Sequence, residues 1–164
     1  MQLIELQETT AVLPQWLSQR DDDPPFDDPT GQLFPPVSPD APTILVVDDD
    51  LANLALAEAL LQAEGFQVKV AIDAQSTFKM LKTITPAMIL MDIQLPEMDG
   101  WELTRQLKAD PATRAIPVIG ITAYGKSGDE KKAKQAGFVE FLSKPVSTRD
   151  LPAIVRRHLA APGR

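Results

Sequence analysis

Residues 88–100 read Met88-Ile89-Leu90-Met91-Asp92-Ile93-Gln94-Leu95-Pro96-Glu97-Met98-Asp99-Gly100. The stretch begins with four apolar residues, a pattern typical of a buried strand, and meets its first charge at Asp92. Pro96 and the Asp99-Gly100 pair then indicate turns. We therefore predict that Asp92 lies at the carboxyl end of a strand, on the rim of a sheet, where an acidic side chain needs a chemical reason.

Three other apolar runs end in polar residues in the same way. The runs and the residues that follow them are 44–47 before Asp48-Asp49-Asp50, 118–121 before Thr122, and 138–142 before Lys144. In open α/β sheets the binding site lies outside the carboxyl ends of the strands. We therefore expect these polar groups to converge with Asp92 on one edge of a sheet.

The chain after residue 42 alternates short apolar runs with amphipathic segments. We predict strands at 43–47, 67–72, 87–91, 117–121 and 138–142, and helices at about 51–63, 74–84, 99–108, 127–136 and 148–159. On the first helix we expect an apolar side formed by Leu51, Leu54, Leu60 and Leu61. Such alternation implies a parallel sheet covered on both faces, and right-handed crossovers favour a doubly wound α/β fold.

Composition excludes several classes of function. The 164 residues include no cysteine, so disulfides, zinc-thiolate sites and thiol catalysis are excluded. No apolar stretch approaches the roughly 20 residues of a membrane span, and the N-terminus lacks signal-peptide features, so we expect a cytoplasmic location and no membrane partner. Residues 1–41 hold eight acidic residues and one basic residue, while residues 42–164 hold fifteen of each. The net charge of −7 therefore lies in the first 41 residues, and no direct nucleic-acid binding is expected.

The acidic arm divides into two parts. Residues 1–20 form a tail that can include a short amphipathic helix, and residues 21–42 form an acidic, proline-rich linker that cannot bury enough apolar surface to fold alone. Residues 43–160 form the folded domain, and 161–164 are a short tail. Two further roles stay open for the arm: a docking helix that buries Trp16, and an acidic cover for a basic surface, such as the lysine-rich helix at 127–136.

The expected strand ends suggest phosphoryl chemistry. Three carboxylates at one edge, those of Asp48, Asp49 and Asp92, would repel one another unless a cation holds them. Mg²⁺ favours such oxygen ligands and leaves room for phosphate oxygens. Lys144 and Thr122 would add a positive charge and a hydroxyl donor, and aspartate is an accepted nucleophile for an aspartyl-phosphate. Each feature alone has an ordinary structural explanation, such as helix capping, so their joint occurrence is what indicates a site.

Residues 43–160 resemble the receiver domain of two-component response regulators. The motifs that carry the resemblance are Ile44-Leu45-Val46-Val47-Asp48-Asp49-Asp50, Leu90-Met91-Asp92-Ile93-Gln94-Leu95-Pro96-Glu97-Met98-Asp99-Gly100, Ile119-Gly120-Ile121-Thr122-Ala123 and Leu142-Ser143-Lys144-Pro145. The resemblance implies a flavodoxin-like, five-stranded parallel sheet in the order 2-1-3-4-5. It also implies that Asp92 accepts a phosphoryl group from a histidine of a kinase or phosphotransfer protein. Mg²⁺ would be held by Asp48, Asp49, Asp92 and the main-chain carbonyl of Gln94.

The resemblance implies further roles around the phosphoacceptor. Thr122 and Lys144 would bind the phosphoryl oxygens, and Phe141 matches the family's switch aromatic, which moves inward with Thr122. The Lys144-Pro145 peptide bond would be cis. Tyr124, with Gln94, would flank the phosphate and influence dephosphorylation. The Tyr124 ring either shields the acyl phosphate from water or points to solvent, and the loss of phosphate from Tyr124→Ala would separate the two.

The function implied is a phosphorylation-activated switch and not an enzyme with turnover. Because few residues follow the domain, output is expected through contact with an unknown downstream protein, with a phosphorylation-dependent homodimer as one form. His158 is expected at the surface, away from Asp92.

Three alternatives remain. The domain can be the receiver segment of a larger hybrid kinase, as the loop at 123–130 suggests, or a pure adaptor. A Mg²⁺-dependent aspartyl-phosphate hydrolase would need a second acid two residues after Asp92, where this chain has Gln94.

Overall fold

The computed structural model describes residues 36–123 and 129–160, in which five strands alternate with five helices. The elements are β1 (Thr43–Val47), α1 (Leu51–Ala63), β2 (Gln67–Ala71), α2 (Ala74–Leu81), β3 (Met88–Asp92), α3 (Gly100–Ala109), β4 (Val118–Thr122), α4 (Asp129–Ala136), β5 (Glu140–Ser143) and α5 (Asp150–Ala160). All strand pairs are parallel, and the sheet order is β2-β1-β3-β4-β5. The predicted doubly wound fold is confirmed.

Helices cover both faces of the sheet. Successive strand residues point to opposite faces, so each buried strand contributes to two separate cores. One core joins Leu45, Val47, Ile89, Met91 and Val118 to residues of α2, α3 and α4, including Ala74, Leu103, Leu107 and Ala136. The other joins Ile44, Val46, Met88, Leu90 and Ile119 to residues of α1 and α5, including Leu54, Leu61, Leu151 and Val155. This two-sided burial explains why the strands read as continuous apolar runs.

Three strands, β3, β4 and β5, end one residue later than predicted. β3 includes Asp92, which pairs with Ile121, and β4 includes Thr122, which pairs with Ser143. Main-chain pairing does not depend on the polarity of the side chain, so the ladder continues through the first polar residue. The polar side chains are therefore held by the sheet itself.

The junction between α4 and β5 also differs from the prediction. β5 begins at Glu140 and not at residue 138. Gly137 has a φ of +97°, a conformation that favours glycine, and the Phe138 N–H donates to the Ala133 carbonyl at 3.1 Å. Phe138 therefore belongs to the C-terminal cap of α4, and the strand starts after it.

Helix α1 has the predicted bounds, but one of its apolar residues was misplaced. Leu54 and Leu61 are buried, whereas Leu51 is 72% exposed. At 3.6 residues per turn, Leu51 lies roughly 90° around the helix from the stripe formed by Leu54, Ala57 and Leu61. The helix is rich in leucine and alanine on all sides, so the pattern alone did not select the buried stripe.

His158 lies in the last helix, α5. His158, expected at the surface, is half-buried and contacts Glu140 of β5.

Among the described residues, no helix has the length and apolar character that crossing a membrane requires. The predictions for residues 1–35, which include Trp16, for Tyr124 and for residues 161–164 lie outside the described residues.

Candidate functional site

Three carboxylates meet at the carboxyl edge of the sheet. Asp48 and Asp49 directly follow β1, and Asp92 is the last residue of β3. One carboxylate oxygen from each lies within 4.8 Å of those of the other two. Asp48 and Asp92 are buried and Asp49 is exposed. The predicted convergence of these three residues is therefore observed, with one face of the cluster open to solvent.

Lys144 completes this cluster from the loop after β5. Its Nζ donates to Oδ2 of Asp92 at 2.8 Å and to Oδ2 of Asp48 at 3.1 Å. Its main-chain N–H donates to the Thr122 carbonyl at 2.7 Å, which fixes the loop to the end of β4. The Lys144-Pro145 bond is cis, as the resemblance implied. Three carboxylates and one ammonium leave a formal charge of −2 on the cluster.

The surroundings of Asp92 shift the pKa of its carboxyl group in both directions. Burial raises the pKa of this carboxyl group, and the nearby Asp48 raises it further. Hydrogen bonds from Lys144 and from the Gln94 N–H, which donates to Oδ1 at 3.0 Å, lower the pKa without cancelling the rise. Burial alone would lower the pKa of Lys144, but its hydrogen bonds to Asp92 and Asp48 raise it, so the ammonium form is held firmly.

Asp48 is oriented by the first turn of α1. Asn53 Nδ2 donates to its Oδ2 at 3.1 Å, and the Asp50 N–H donates to its Oδ1 at 2.8 Å. The Asp50 side chain instead accepts from the Ala52 and Asn53 N–H groups and caps α1. The third acid of the Asp triplet is thus a helix cap. The contact from Asn53 was not predicted, although its place three residues after a capping aspartate was a usable signal.

The loop after Asp92 is shaped by Gly100. The Gly100 N–H donates to the Ile93 carbonyl at 2.9 Å, and a Cβ at Gly100 would overlap the Asp92 carbonyl oxygen and lie 2.9 Å from Ile93 Cα. No other residue allows this approach without a shift of the backbone. Asp99 caps α3 by accepting from the Glu102 N–H at 2.8 Å. The Asp99-Gly100 pair therefore ties the start of α3 to the backbone of Asp92.

Thr122 and Phe141 lie on the adjacent strands β4 and β5. Thr122 is buried at the end of β4. Phe141 pairs in register with Gly120, and its half-buried ring lies over that glycine. The ring also stacks on Trp101, with centroids 5.2 Å apart and planes 25° apart. Gln94 is exposed, and its N–H, described above, contacts Asp92.

The donor set matches a hard divalent cation. Every candidate ligand at this edge is an oxygen, and the cluster carries excess negative charge that a cation would neutralise. Mg²⁺ is one cation with this preference for oxygen ligands.

Comparison with known proteins decides the family. The model of the response regulator receiver domain matches residues 44–156. The chain belongs to the response regulator receiver family. It is a receiver domain of a two-component system, and this family generally acts as a signalling switch and not as a catalytic enzyme.

Two curated relatives are similar in sequence. The chain is 44% identical to the response regulator PleD of Caulobacter vibrioides over 113 residues, which cover 69% of this chain and 25% of PleD. It is 34% identical to the polar-differentiation response regulator DivK of Brucella anthropi over 117 residues, which cover 71% of this chain and 95% of DivK. The chain thus spans about a quarter of the length of PleD but nearly all of DivK.

Solved receiver structures share the fold. The receiver domain of the sensor histidine kinase PA1611 from Pseudomonas aeruginosa PAO1 has a TM-score of 0.67 and 31% identity, covering 74% of this chain and 99% of that chain. That structure holds a magnesium ion coordinated in the active-site cleft. A CheY-like receiver domain protein from Methanospirillum hungatei JF-1 has a TM-score of 0.67 and 29% identity, covering 73% of this chain and 94% of that chain.

Proposed function

We propose that the protein is a phosphorylation-activated switch in which Asp92 accepts a phosphoryl group from a histidine of a kinase or phosphotransfer protein. The observation that carries the proposal is the Lys144 ammonium, which lies between the carboxylates of Asp92 and Asp48 at the edge of the sheet. A fixed cation beside a buried carboxylate stabilises the negative charge that a transferring phosphoryl group brings.

The transfer is a simple exchange of bonds. An Asp92 carboxylate oxygen attacks phosphorus, a new P–O bond forms, and the P–N bond to the donor histidine breaks with its electron pair staying on the imidazole. Lys144 then donates to a phosphoryl oxygen, and the Thr122 hydroxyl donates to another. The Gln94 N–H, 3.0 Å from Asp92 Oδ1, holds the carboxylate in place during the attack.

Mg²⁺ is the proposed cofactor, and it would supply positive charge to the phosphoryl oxygens. Asp48, Asp49 and Asp92 would hold it, together with the Gln94 main-chain carbonyl. Support comes from the all-oxygen cluster within 4.8 Å and from the magnesium ion in the similar PA1611 receiver. The hydrogen bonds from Asn53 and Asp50 keep Asp48 oriented for this role.

Phosphorylation would act through Thr122 and Phe141. Thr122 would move toward the phosphate and Phe141 would move inward with it, and the surface formed by α4, β5 and α5 would change its population of conformations. On α4 this surface exposes Lys131, Lys132 and Lys134, which suit an acidic downstream protein or a second copy of the domain. Gln94 is no acid, which disfavours repeated hydrolysis, so the domain would serve as a phosphoacceptor and not as an enzyme.

A phosphodonor protein would approach beside α1. Leu51 and Leu56 are 72% and 48% exposed, and a mainly apolar pocket of about 400 Å³ lies next to Lys144, lined by residues of α1 and α5 that include Leu56 and Leu60. An apolar helix of a donor could dock here and present its histidine to Asp92. The low coverage of PleD is consistent with the same switch acting as one module of a longer protein.

The test is phosphorylation by acetyl phosphate with Mg²⁺. We expect intact-mass spectra to gain a single phosphoryl group in the wild type and none in Asp92→Asn. Asp73→Asn is the matched control, because Asp73 also follows a strand but only caps α2, and it should be phosphorylated normally. Phosphorylation of Asp92→Asn at the wild-type rate would overturn the proposal, and continuous release of phosphate from a small ester would favour the hydrolase instead.

A further inference from the structure

An aromatic cluster links α3 to the start of β5. The Trp101 indole lies edge-on to Phe138, with centroids 5.5 Å apart, as well as stacking on Phe141. Phe138 and Phe141 meet each other at 4.7 Å and 62°. Each ring thus contacts the other two, and the three rings come from α3, from the C-terminal cap of α4 and from β5.

The Phe141 ring packs closely against both Gly120 and Trp101. A Cβ at Gly120 would lie 2.8 Å from two carbons of the ring, so the glycine makes the space that the ring occupies. The indole of Trp101 also stacks on the Phe141 ring, with the two planes 25° apart. Because the Phe141 ring packs against both Gly120 and the Trp101 indole, a movement of the ring would change its packing with Trp101.

The helix that carries Trp101 is also tied to Asp92. Gly100, its neighbour in the chain, donates to the Ile93 carbonyl and packs against the backbone of Asp92 so closely that no Cβ fits. A change in the backbone around Asp92 would therefore be transmitted to the first turn of α3. One residue further along, the indole contacts the ring that is proposed to move.

We propose that Trp101 is a positioning residue for the switch: its indole holds Phe141 in the inward position and couples the Asp92 backbone to β5. This inference rests on the proposed function, because it assigns a role within that switch. Stacked aromatic pairs contribute enough to shift a two-state equilibrium by about three- to ten-fold. Loss of the indole should therefore weaken binding of a phosphoryl mimic by a similar factor, while loss of an aromatic ring elsewhere in the same core should not.

The first experiment measures affinity for beryllium fluoride with Mg²⁺ by calorimetry. We expect Trp101→Ala to bind about three- to ten-fold more weakly than the wild type and Trp101→Phe, which can still stack on Phe141, to bind within about two-fold of it. Phe78→Ala is the matched control, since Phe78 of α2 packs against the same core, and it should lower the melting temperature without changing this affinity. Equal affinities for wild type and Trp101→Ala would overturn the inference.

The second experiment needs no destabilising change. The chain has two tryptophans, so Trp16→Phe leaves Trp101 as the only indole that emits. We expect its emission to change saturably as beryllium fluoride is added with Mg²⁺, and to stay constant in the Trp16→Phe, Asp92→Asn variant. If calorimetry shows binding but the emission and its lifetime stay constant, the inference is wrong while the proposed function stands. If Asp92→Asn binds the mimic as tightly as the wild type, the proposed function fails.

Discussion

Asp92 and Lys144 are 52 residues apart in the chain, and their side chains meet at 2.8 Å between Oδ2 and Nζ. They come from the ends of β3 and β5, with β4 between those strands in the sheet. The Lys144 side chain crosses the end of β4 to reach Asp92 and Asp48. The contact between Asp92 and Lys144 exists only because two crossover connections, from β3 to β4 and from β4 to β5, bring these strand ends to one edge.

Replacing Lys144 should slow phosphorylation far more than it harms the fold. Lys144→Gln keeps a polar side chain but removes the charge that meets the phosphoryl group. We expect phosphorylation by acetyl phosphate to slow by about a hundred-fold, the usual effect of removing one preorganised donor. Time courses of intact mass measure this rate. Lys134→Gln, which removes an exposed charge of α4, serves as the control, and equal rates for the two variants would contradict the assignment.

Added Mg²⁺ should stabilise the wild type, because a ligand that binds only the native state raises the free energy of unfolding. Asp49 is an exposed member of the carboxylate cluster, so Asp49→Asn should fold normally and lose most of this gain. Asp50→Asn removes the same charge one position later, and asparagine still caps a helix, so its gain should match the wild type. Melting curves with and without Mg²⁺ measure this stabilisation. If Mg²⁺ stabilises Asp49→Asn as much as it stabilises Asp50→Asn, the metal lies elsewhere.

The sequence was sufficient for the sheet and for most of the site. Apolar runs ending in Asp48, Asp92 and Thr122 could be read because buried parallel strands leave continuous apolar segments and their ends share one edge. The predicted strand bounds were wrong by one or two residues. Strand pairing continues through Asp92 and Thr122, and Phe138 belongs to the C-terminal cap of α4. Hydrophobic periodicity predicts where helices and strands lie, but it does not predict these local hydrogen bonds.

Contacts that depend on how elements pack were not predictable in the same way. The Asn53 hydrogen bond to Asp48 requires α1 to start at one particular place above β1. The stack of Trp101 on Phe141 depends on how α3 is oriented about its own axis where it packs on β4 and β5. Leu51 was assigned to the wrong side of α1, because a helix rich in leucine and alanine presents several apolar stripes. Side-chain packing, which the pattern of single residues does not encode, decides all three.

Neutralising Asp92 should stabilise the protein when no metal is present. Burial raises the pKa of this carboxyl group, which means that its ionised form is unfavourable in the folded state. Asp92→Asn keeps an acceptor for the Gln94 N–H and leaves Lys144 paired with Asp48. We expect a free energy of unfolding higher by on the order of 1 kcal/mol at pH 7 in chelator, measured by urea titration. A less stable variant would mean that the attraction of Lys144 outweighs the cost of burial.

Asp73→Asn is the control for Asp92→Asn. Hydrogen bonds from the Ser76 side chain and N–H lower the pKa of its carboxyl group, so the ionised form is favoured there. Asp73→Asn should therefore give no stabilisation in the same buffer. Stabilisation of Asp92→Asn without stabilisation of Asp73→Asn would separate burial in the site from a general effect of removing negative charge.

A second ionic cluster joins β5 to α5 and should give a distinct pH dependence. The carboxylate of Glu140 contacts both Arg157 and His158. Burial acts to raise its pKa, but the hydrogen bonds and charges of these two partners outweigh burial and lower the pKa below its ordinary value of 4.5. A lowered carboxyl pKa contributes stability that is fully present above pH 4.5 and is lost as the pH falls through the folded-state value.

Glu140→Gln should remove that contribution. We expect the variant to be less stable than the wild type at pH 7, and the difference between them to shrink as the pH falls from about 4.5 through the folded-state pKa, because the unfolded carboxylate takes up its proton first. Urea unfolding between pH 3 and pH 7 measures both curves. Glu58→Gln is the control, since Glu58 of α1 accepts a side-chain hydrogen bond from Gln62 one turn later, and this substitution should not reproduce the Glu140→Gln curve. If the Glu140→Gln difference stays constant down to the lowest pH, the ionised carboxylate contributes nothing to the packing of α5 on β5.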